Sequence, residues 1–564
     1  MANSCPVLSV TTLAKIPELI HSKWNSGKSI TMASEHCITV VSQGDLWSNP
    51  SLFFLDLAAS PPQVTRKDFK RYRRRDRIVS ATRSPNGEFC LIHDAANVLR
   101  VLILEKETVI ASLVDFARWI DSSCVAFLTD KEITHMDVES WNINWSCLRK
   151  EDVAGTYSVT DYPLHRSKNC SFLTAVKLDV DQAKGLVEVF HMGDIASTTF
   201  SGFAAAFVPS IPTYGGQPVA ILIADTATSN NNPRILLKYR YLRQSAYTYD
   251  LSDTRNSTLE ILYPVDAKET AKDFPIAVTV HPKDDHFLAF ITTKMGCVHL
   301  VDYRNMCHLA SKTLADDEST ICVVHSASSS GGLTVISSDG IVFGVSLSFD
   351  HVIATLLDKN LPTEAGKYAL RLSAPMENGT FMRVIHVVRG MKSVDFATFC
   401  TFLRLNVVHL SAEQAVDVFE LAVDTVSSTP HDLMLTGHLA MKLSDKIGLD
   451  VLITMFERKT RNTIKDGLPM FLKSLSPKKM SESALLKLVK MALQHGLIQI
   501  LEFHFITNQS KILHPESVID CLLSETVAPG VQRAVEELVE RLYIRYGLIV
   551  KLVTHRIRNG WGRV

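Results

Sequence analysis

No stretch of this chain approaches the roughly 18 to 20 consecutive apolar residues that a bilayer-crossing helix needs, so nothing in it reads as a membrane span. The opening MANSCPVLSV lacks the basic-then-apolar layout of a secretory signal. The 11 cysteines include no CxxC pair, so no zinc knuckle or redox motif is legible, and a reducing cytoplasm is the simplest compartment. An excess of one charge is also missing. With 59 Lys plus Arg against 59 Asp plus Glu, the molecule has no global field to draw in nucleic acid or an anionic membrane, and nucleic acid is not an expected partner. GxSxG, GxxxxGKS/T, HExxH and a dinucleotide fingerprint are all absent. The expectation is therefore a binding protein, not an enzyme, with no cofactor.

What the chain does have is a repeated unit. Residues 273–303, DFPIAVTVHPKDDHFLAFITTKMGCVHLVDY, read as three short apolar strands joined by tight polar turns. The same alternation returns at 89–104, 124–138 and 333–347. A small antiparallel sheet recurring every 40 to 50 residues or so predicts propeller blades, and residues 1–350 are long enough for about seven.

Near Asp350 the texture changes. HVIATLLDKN (351–360) is apolar at helical spacing, Pro362 breaks it, and KYALRLSA (367–374) resumes a helix, so 351–378 reads as a helical linker. From 379 to 564 nearly every segment has helical period. AEQAVDVFELAVDTV (412–426) is one example, and SALLKLVKMALQHG (483–496), with Ser481 or Ser483 as N-cap and Gly496 as C-cap, is another. Pro430, Pro469, Pro477, Pro515 and Pro529 interrupt at intervals suited to helical pairs. The predicted architecture is a seven-bladed β-propeller followed by an α-helical solenoid.

In wording and order, DFPIAVTV, FITTKMGCVHLVDY and SSDGIVFGVSL resemble the last blades of the clathrin heavy chain terminal domain. SITMAS (29–34), FFLDL (53–57), RWIDSSCVAFLTD (118–130) and KYALRLSA extend the resemblance over about residues 1–378, outside the stretch 142–272. It implies a cytoplasmic protein, peripheral on coated vesicles or coated pits, whose membrane association is indirect. A clathrin heavy chain continues much further, so the chain reads as a short or truncated, divergent member. Full-length clathrin heavy chain or light chain is then a partner if the chain is a fragment, and lattice assembly does not follow. A shortened paralogue serving as a scaffold is the other reading.

In that family the groove between the first two blades takes short acidic, leucine-containing adaptor peptides in extended form. Aligning SPNGEFCLIHDAANVLRVLILEKE (84–107) implies Cys90, Val98, Arg100, Leu102 and Glu107 as groove residues, with Leu52 and Phe54 as floor. The family's threonine, glutamine, phenylalanine and lysine are replaced here by Val98, Arg100, Leu102 and Glu107, so apolar character survives while charge is rearranged. Read as strand positions alone, the same residues are ordinary blade core.

Just before that blade lies RKDFKRYRRRDR, with Arg66, Lys67, Lys70, Arg71, Arg73, Arg74, Arg75 and Arg77 opposed by two aspartates. Beside the groove it would draw a peptide's acidic end. It would equally suit anionic lipid or RNA, and it is also what a solvated loop looks like. Gly27, with Trp24 nearby, Asp194 and Thr11 fall where the family has other binding surfaces, but carry the wrong residue types and are not taken as sites. Cys297, His299, Cys307 and His308 are close in sequence, yet they lack a compact ligand knuckle and no metal is assigned.

Overall fold

The computed structural model describes residues 7–558 apart from 21–28, 33, 35, 43–49, 69–76, 104–105, 149–157, 162–163, 167–170, 180–183, 192–197, 209–218, 230–231, 243–256, 266, 268–269, 282–286, 315–318, 328–330, 373–374, 392–393, 428, 461–466, 478–479 and 509–513. The chain falls into two compact units, Met1–Val352 and Ile353–Val564.

The first unit is a β-propeller of seven antiparallel sheets among the described residues. Blade 1 comprises Ser29–Met32, Cys37–Ser42, Ser51–Asp56 and Gln63–Asp68, and blade 2 comprises Ile78–Arg83, Phe89–Asp94, Leu99–Ile103 and Lys106–Ala111. Blades 3, 4 and 5 occupy 114–148, 158–201 and 204–262, blade 4 having a fifth short strand. Blade 6 is Pro275–Val280, Leu288–Thr293, Cys297–Asp302 and Cys307–Thr313. Blade 7 is Ile321–Ala327, Gly332–Ser337 and Ile341–Leu347, and its outermost strand is Leu8–Lys15. That first strand runs antiparallel to the last, with Leu8 opposite Leu347 and Ser9 opposite Ser346, which closes the ring.

Stacking explains the sequence texture. In blade 6 all six residues of Leu288–Thr293 and all six of Cys297–Asp302 are buried, because a neighbouring blade covers each face. Outer strands such as Gln63–Asp68 are largely exposed and polar. An aspartate recurs at strand ends because its side chain holds the following turn. Asp56 accepts from the Ala58 N–H at 2.9 Å, Asp137 from Glu139 at 2.8 Å and Asp302 from Arg304 at 3.0 Å.

Helix α1 (Ile16–Ile20) follows the first strand, and α2 (Phe349–Asp358) follows the last. The second unit continues with α3 (Pro362–Arg371), α4 (Asn378–Arg389), α5 (Phe396–Asn406), α6 (Ala412–Thr425), α7 (Pro430–Ile447) and α8 (Leu449–Thr460). After these come α9 (Gly467–Ser474), α10 (Glu482–Gln494), α11 (Ile498–Glu502), α12 (Pro515–Ser524), α13 (Pro529–Arg545) and α14 (Ile549–Arg558). Pro362, Pro430, Pro515 and Pro529 sit at helix starts, where a missing N–H costs nothing. Ser481 is the N-cap of α10, accepting from the Ala484 N–H at 3.3 Å.

From α3 on, each helix meets its sequence neighbour or the helix two places on, among them α5 with α7, α7 with α9, α6 with α8, α8 with α10 and α10 with α12. This is the layering of an α-solenoid. Polar rungs repeat at the same interval. Lys446 Nζ donates to the Val408 carbonyl at 3.2 Å, Arg541 pairs with Glu502 at 3.1 Å and Lys551 with Glu516 at 2.6 Å, partners 38, 39 and 35 residues apart.

Candidate peptide-binding seam between the first two blades

Residues opposite each other in a sheet point to the same side, and alternate residues of a strand share a face. In blade 2 the register sets Arg83, Cys90, Leu102 and Glu107 in one row, and Ala81, Ile92, Arg100 and Val109 in the next. In blade 1 the rows are Val41, Leu52 and Lys67, then Thr39, Phe54 and Thr65. Val41, Leu52, Ile78, Ala81, Cys90, Ile92 and Leu102 form one buried cluster with Phe54 packed on its edge. Leu52, Phe54, Cys90 and Leu102 therefore meet at the seam between the two blades. Arg100 and Glu107 stand on the same face of blade 2.

The seam is closed in its interior and open at its margin. Leu52, Cys90 and Leu102 are 0, 5 and 6 % exposed, so their side chains are core. Phe54, Val98, Arg100 and Glu107 are half-buried. Between the inner strands, Thr31 Oγ1 donates to the Ala81 carbonyl at 2.6 Å and the Arg83 N–H to Thr39 Oγ1 at 3.4 Å. Arg83, which sequence reasoning missed, lays its guanidinium over the Phe54 ring at 5.3 Å while Nε donates to the Gly87 carbonyl at 2.7 Å. It stands two residues on from Ala81 in the same strand and opposite Cys90, so one step of alternation forward from Ala81 would have found it.

Arg100 has a structural partner. Its Nη2 pairs at 2.9 Å with Asp94 Oδ2, and Asp94 is fully buried. Asp94 Oδ1 also accepts from the N–H groups of Ala96 at 3.0 Å and Val98 at 2.9 Å, which fixes the turn into the next strand. Burial pushes the Cys90 thiol up to about 12, against the opposing pull of Lys67 and Arg83. The register sets Lys67 opposite Leu52 and Arg83 opposite Cys90.

The basic run divides. Lys67 shares the face of Leu52, whereas the next residue back points to the other side of the strand. Accordingly Arg66 sits 5.7 Å over the Phe53 ring and pairs with Asp68 at 2.8 Å. Arg77 is exposed, and its carbonyl accepts from the Ala95 N–H at 2.7 Å. Lys70, Arg71, Arg73, Arg74 and Arg75 lie outside the described residues, as do Trp24, Gly27 and Asp194.

Blade 6 holds the histidines singled out from sequence. His299 is opposite Ile291, on the side that packs against blade 5, and is fully buried. Its ring lies 5.7 Å from that of His308 and edge-on to Tyr263 at 5.8 Å, and neither ring nitrogen has a hydrogen-bond partner. Burial, aided by His308, pushes its pKa down to about 3, so the imidazole is neutral. Among the described residues no three His, Cys, Asp or Glu side chains are placed to hold a metal ion. Nor, among them, is any helix long and apolar enough to cross a membrane.

No protein-family model matches the chain. Among solved structures it is similar to the C-terminal WD40 domain of Sif2, at 10 % identity over 61 % of this chain and 100 % of that one, with a TM-score of 0.35. A likeness of that degree carries no argument about activity or partners, and the propeller assignment rests on the sheet order and register described above.

Proposed function

We propose that this chain is a protein-interaction scaffold whose propeller takes short extended peptides at the margin of the blade 1 and blade 2 seam. The observation that carries the reading is Phe54, a half-buried aromatic face capped by Arg83, on the side of blade 1 that Lys67 shares. An apolar peptide side chain against that ring, with an acidic end toward Lys67 and Arg83, is the chemistry of extended-peptide capture. The resemblance to the clathrin heavy chain terminal domain supports adaptor peptides as the ligand class, with a cytoplasmic, coated-vesicle role and clathrin chains as further partners. The reading assigns binding and no chemical step.

A second reading, a diverged scaffold that no longer takes adaptor peptides, is favoured by the sealing of Leu52, Cys90 and Leu102, which leaves no open leucine pocket between them.

Fluorescence polarisation of a labelled acidic-leucine peptide on the full chain separates the two. The first reading expects micromolar binding, roughly 8 kcal/mol, weakened at least tenfold by Phe54→Ala and by Lys67→Glu. Arg66→Gln, on the far side of the same strand, should leave it unchanged. No binding, or equal loss in Arg66→Gln, would sink the seam and leave the diverged scaffold.

A further inference from the structure

Helices α6, α8 and α10 pack side by side in the second unit, and a cavity of about 630 Å³ opens among them. Its walls are apolar in the middle, supplied by Val423, Val451, Met455 and Leu486. Val451 is 41 % exposed, and Met455 and Leu486 are half-buried, so much of this wall is apolar surface left open to solvent.

Some charges on these helices are closed in pairs: Lys490 of α10, itself in the cavity lining, meets Glu525 at 3.0 Å, and Glu457 of α8 meets His495 at 3.4 Å. The Glu457–His495 contact joins the C-terminal ends of α8 and α10, so the two helices run the same way. The cavity lining carries two acids (Glu420, Asp450) and three bases (Arg458, Lys487, Lys490); Lys490 is taken up by Glu525, and among the described residues none of the other four is in an ion pair. Opposite charges that share a rim yet leave each other unpaired are available to a ligand.

We propose that this cavity is a second docking site, for an amphipathic helical segment of a partner protein whose apolar row is flanked by both an acid and a base. The apolar centre ringed by polar groups has the anatomy of an interface hot spot. The volume suits a row of side chains; a whole helix, about 10 to 12 Å across, would not fit inside it. A ligand of a single charge sign would meet like charge at two of the four unpaired rim groups, so mixed charge is the complementary choice.

The test uses three labelled synthetic helices of about 14 residues with the same leucine row, in the helix-in-groove mode. One carries flanking Glu and Lys, one only Glu and one only Lys. On the full chain the mixed peptide is expected to bind at least tenfold tighter than either other. Leu486→Lys and Val451→Glu, at positions open enough to leave the melting temperature unchanged, should abolish that binding. Glu420→Lys combined with Asp450→Lys should turn the preference to the all-Glu peptide. Equal affinities, no binding, or an unmoved preference in the double variant would overturn the proposal. So would self-association of the free protein, seen by light scattering and lost in Leu486→Lys, which would give the cavity to a second copy.

Discussion

His299 shows how a single side chain can tie the propeller to pH. Folded, it is held neutral with a pKa near 3, whereas unfolded it titrates at its ordinary 6.5. Its contribution is thus fully present above pH 6.5 and is lost as pH falls from 6.5 toward 3, by at most about 1.4 kcal/mol per pH unit. His299→Leu should flatten the decline in stability across that window, read as urea midpoints from pH 7 to pH 4; an equally steep decline would remove His299 from the cause. At this scale the sequence is legible for residue type but not for environment. Leu52, Cys90 and Leu102 were readable as apolar strand positions, yet whether they line a groove or fill a core depends on how closely two blades stack. Arg83 escaped notice because Phe54, the ring it covers, belongs to another sheet.

Helix packing in the solenoid turns on close approach. At Gly437 in α7, a Cβ would stand 1.7 Å from Ser474 Oγ and 3.0 Å from the Phe471 carbonyl of α9, and that hydroxyl is held by its own 2.6 Å bond to the same carbonyl. Alanine would gain about 1 kcal/mol in helix propensity; the forced separation of α7 from α9 should cost more, about 1 to 3 kcal/mol. Gly437→Ala is expected to lower stability, and adding Ser474→Gly should restore part of the loss. A more stable single variant would show that the helices part freely. The prolines were read as interruptions, and of the five Pro430, Pro515 and Pro529 open helices while Pro469 lies within α9; helical period itself was readable in segments such as 412–426 and 483–496. The α6, α8 and α10 cavity was not, because it exists only through the register between helices that are distant in sequence.

For the whole molecule, ring closure is the property no local pattern could reveal, since the partner of Leu8–Lys15 follows every other blade in the chain. Blades were legible from strand and turn chemistry, and their number from length; the fastening was not. Ser9 Oγ and Ser346 Oγ stand 2.6 Å apart on directly opposed residues. The double variant Ser9→Cys, Ser346→Cys should therefore form a disulfide on oxidation and raise the propeller's melting temperature. The chain-entropy limit for so long a loop is about 6 kcal/mol. An oxidised variant that melts with the wild type would mean that the first strand is not what fails on heating.

The same fastening has a consequence during synthesis. The strand that leaves the ribosome first must wait for the one that completes its sheet, and at roughly 5 to 20 residues per second the wait is on the order of 15 to 70 seconds. Through that interval Leu8–Lys15 is an unclaimed sheet edge, and blade 7 cannot be whole until Ile341–Leu347 has emerged. Its own composition limits the hazard, since only Leu8 of its eight residues is buried in the finished ring and the rest are tolerant of water. A nascent chain paused before residue 341 would carry six finished blades and a loose thread, the form most open to capture by a chaperone or by the thread of a neighbouring ribosome.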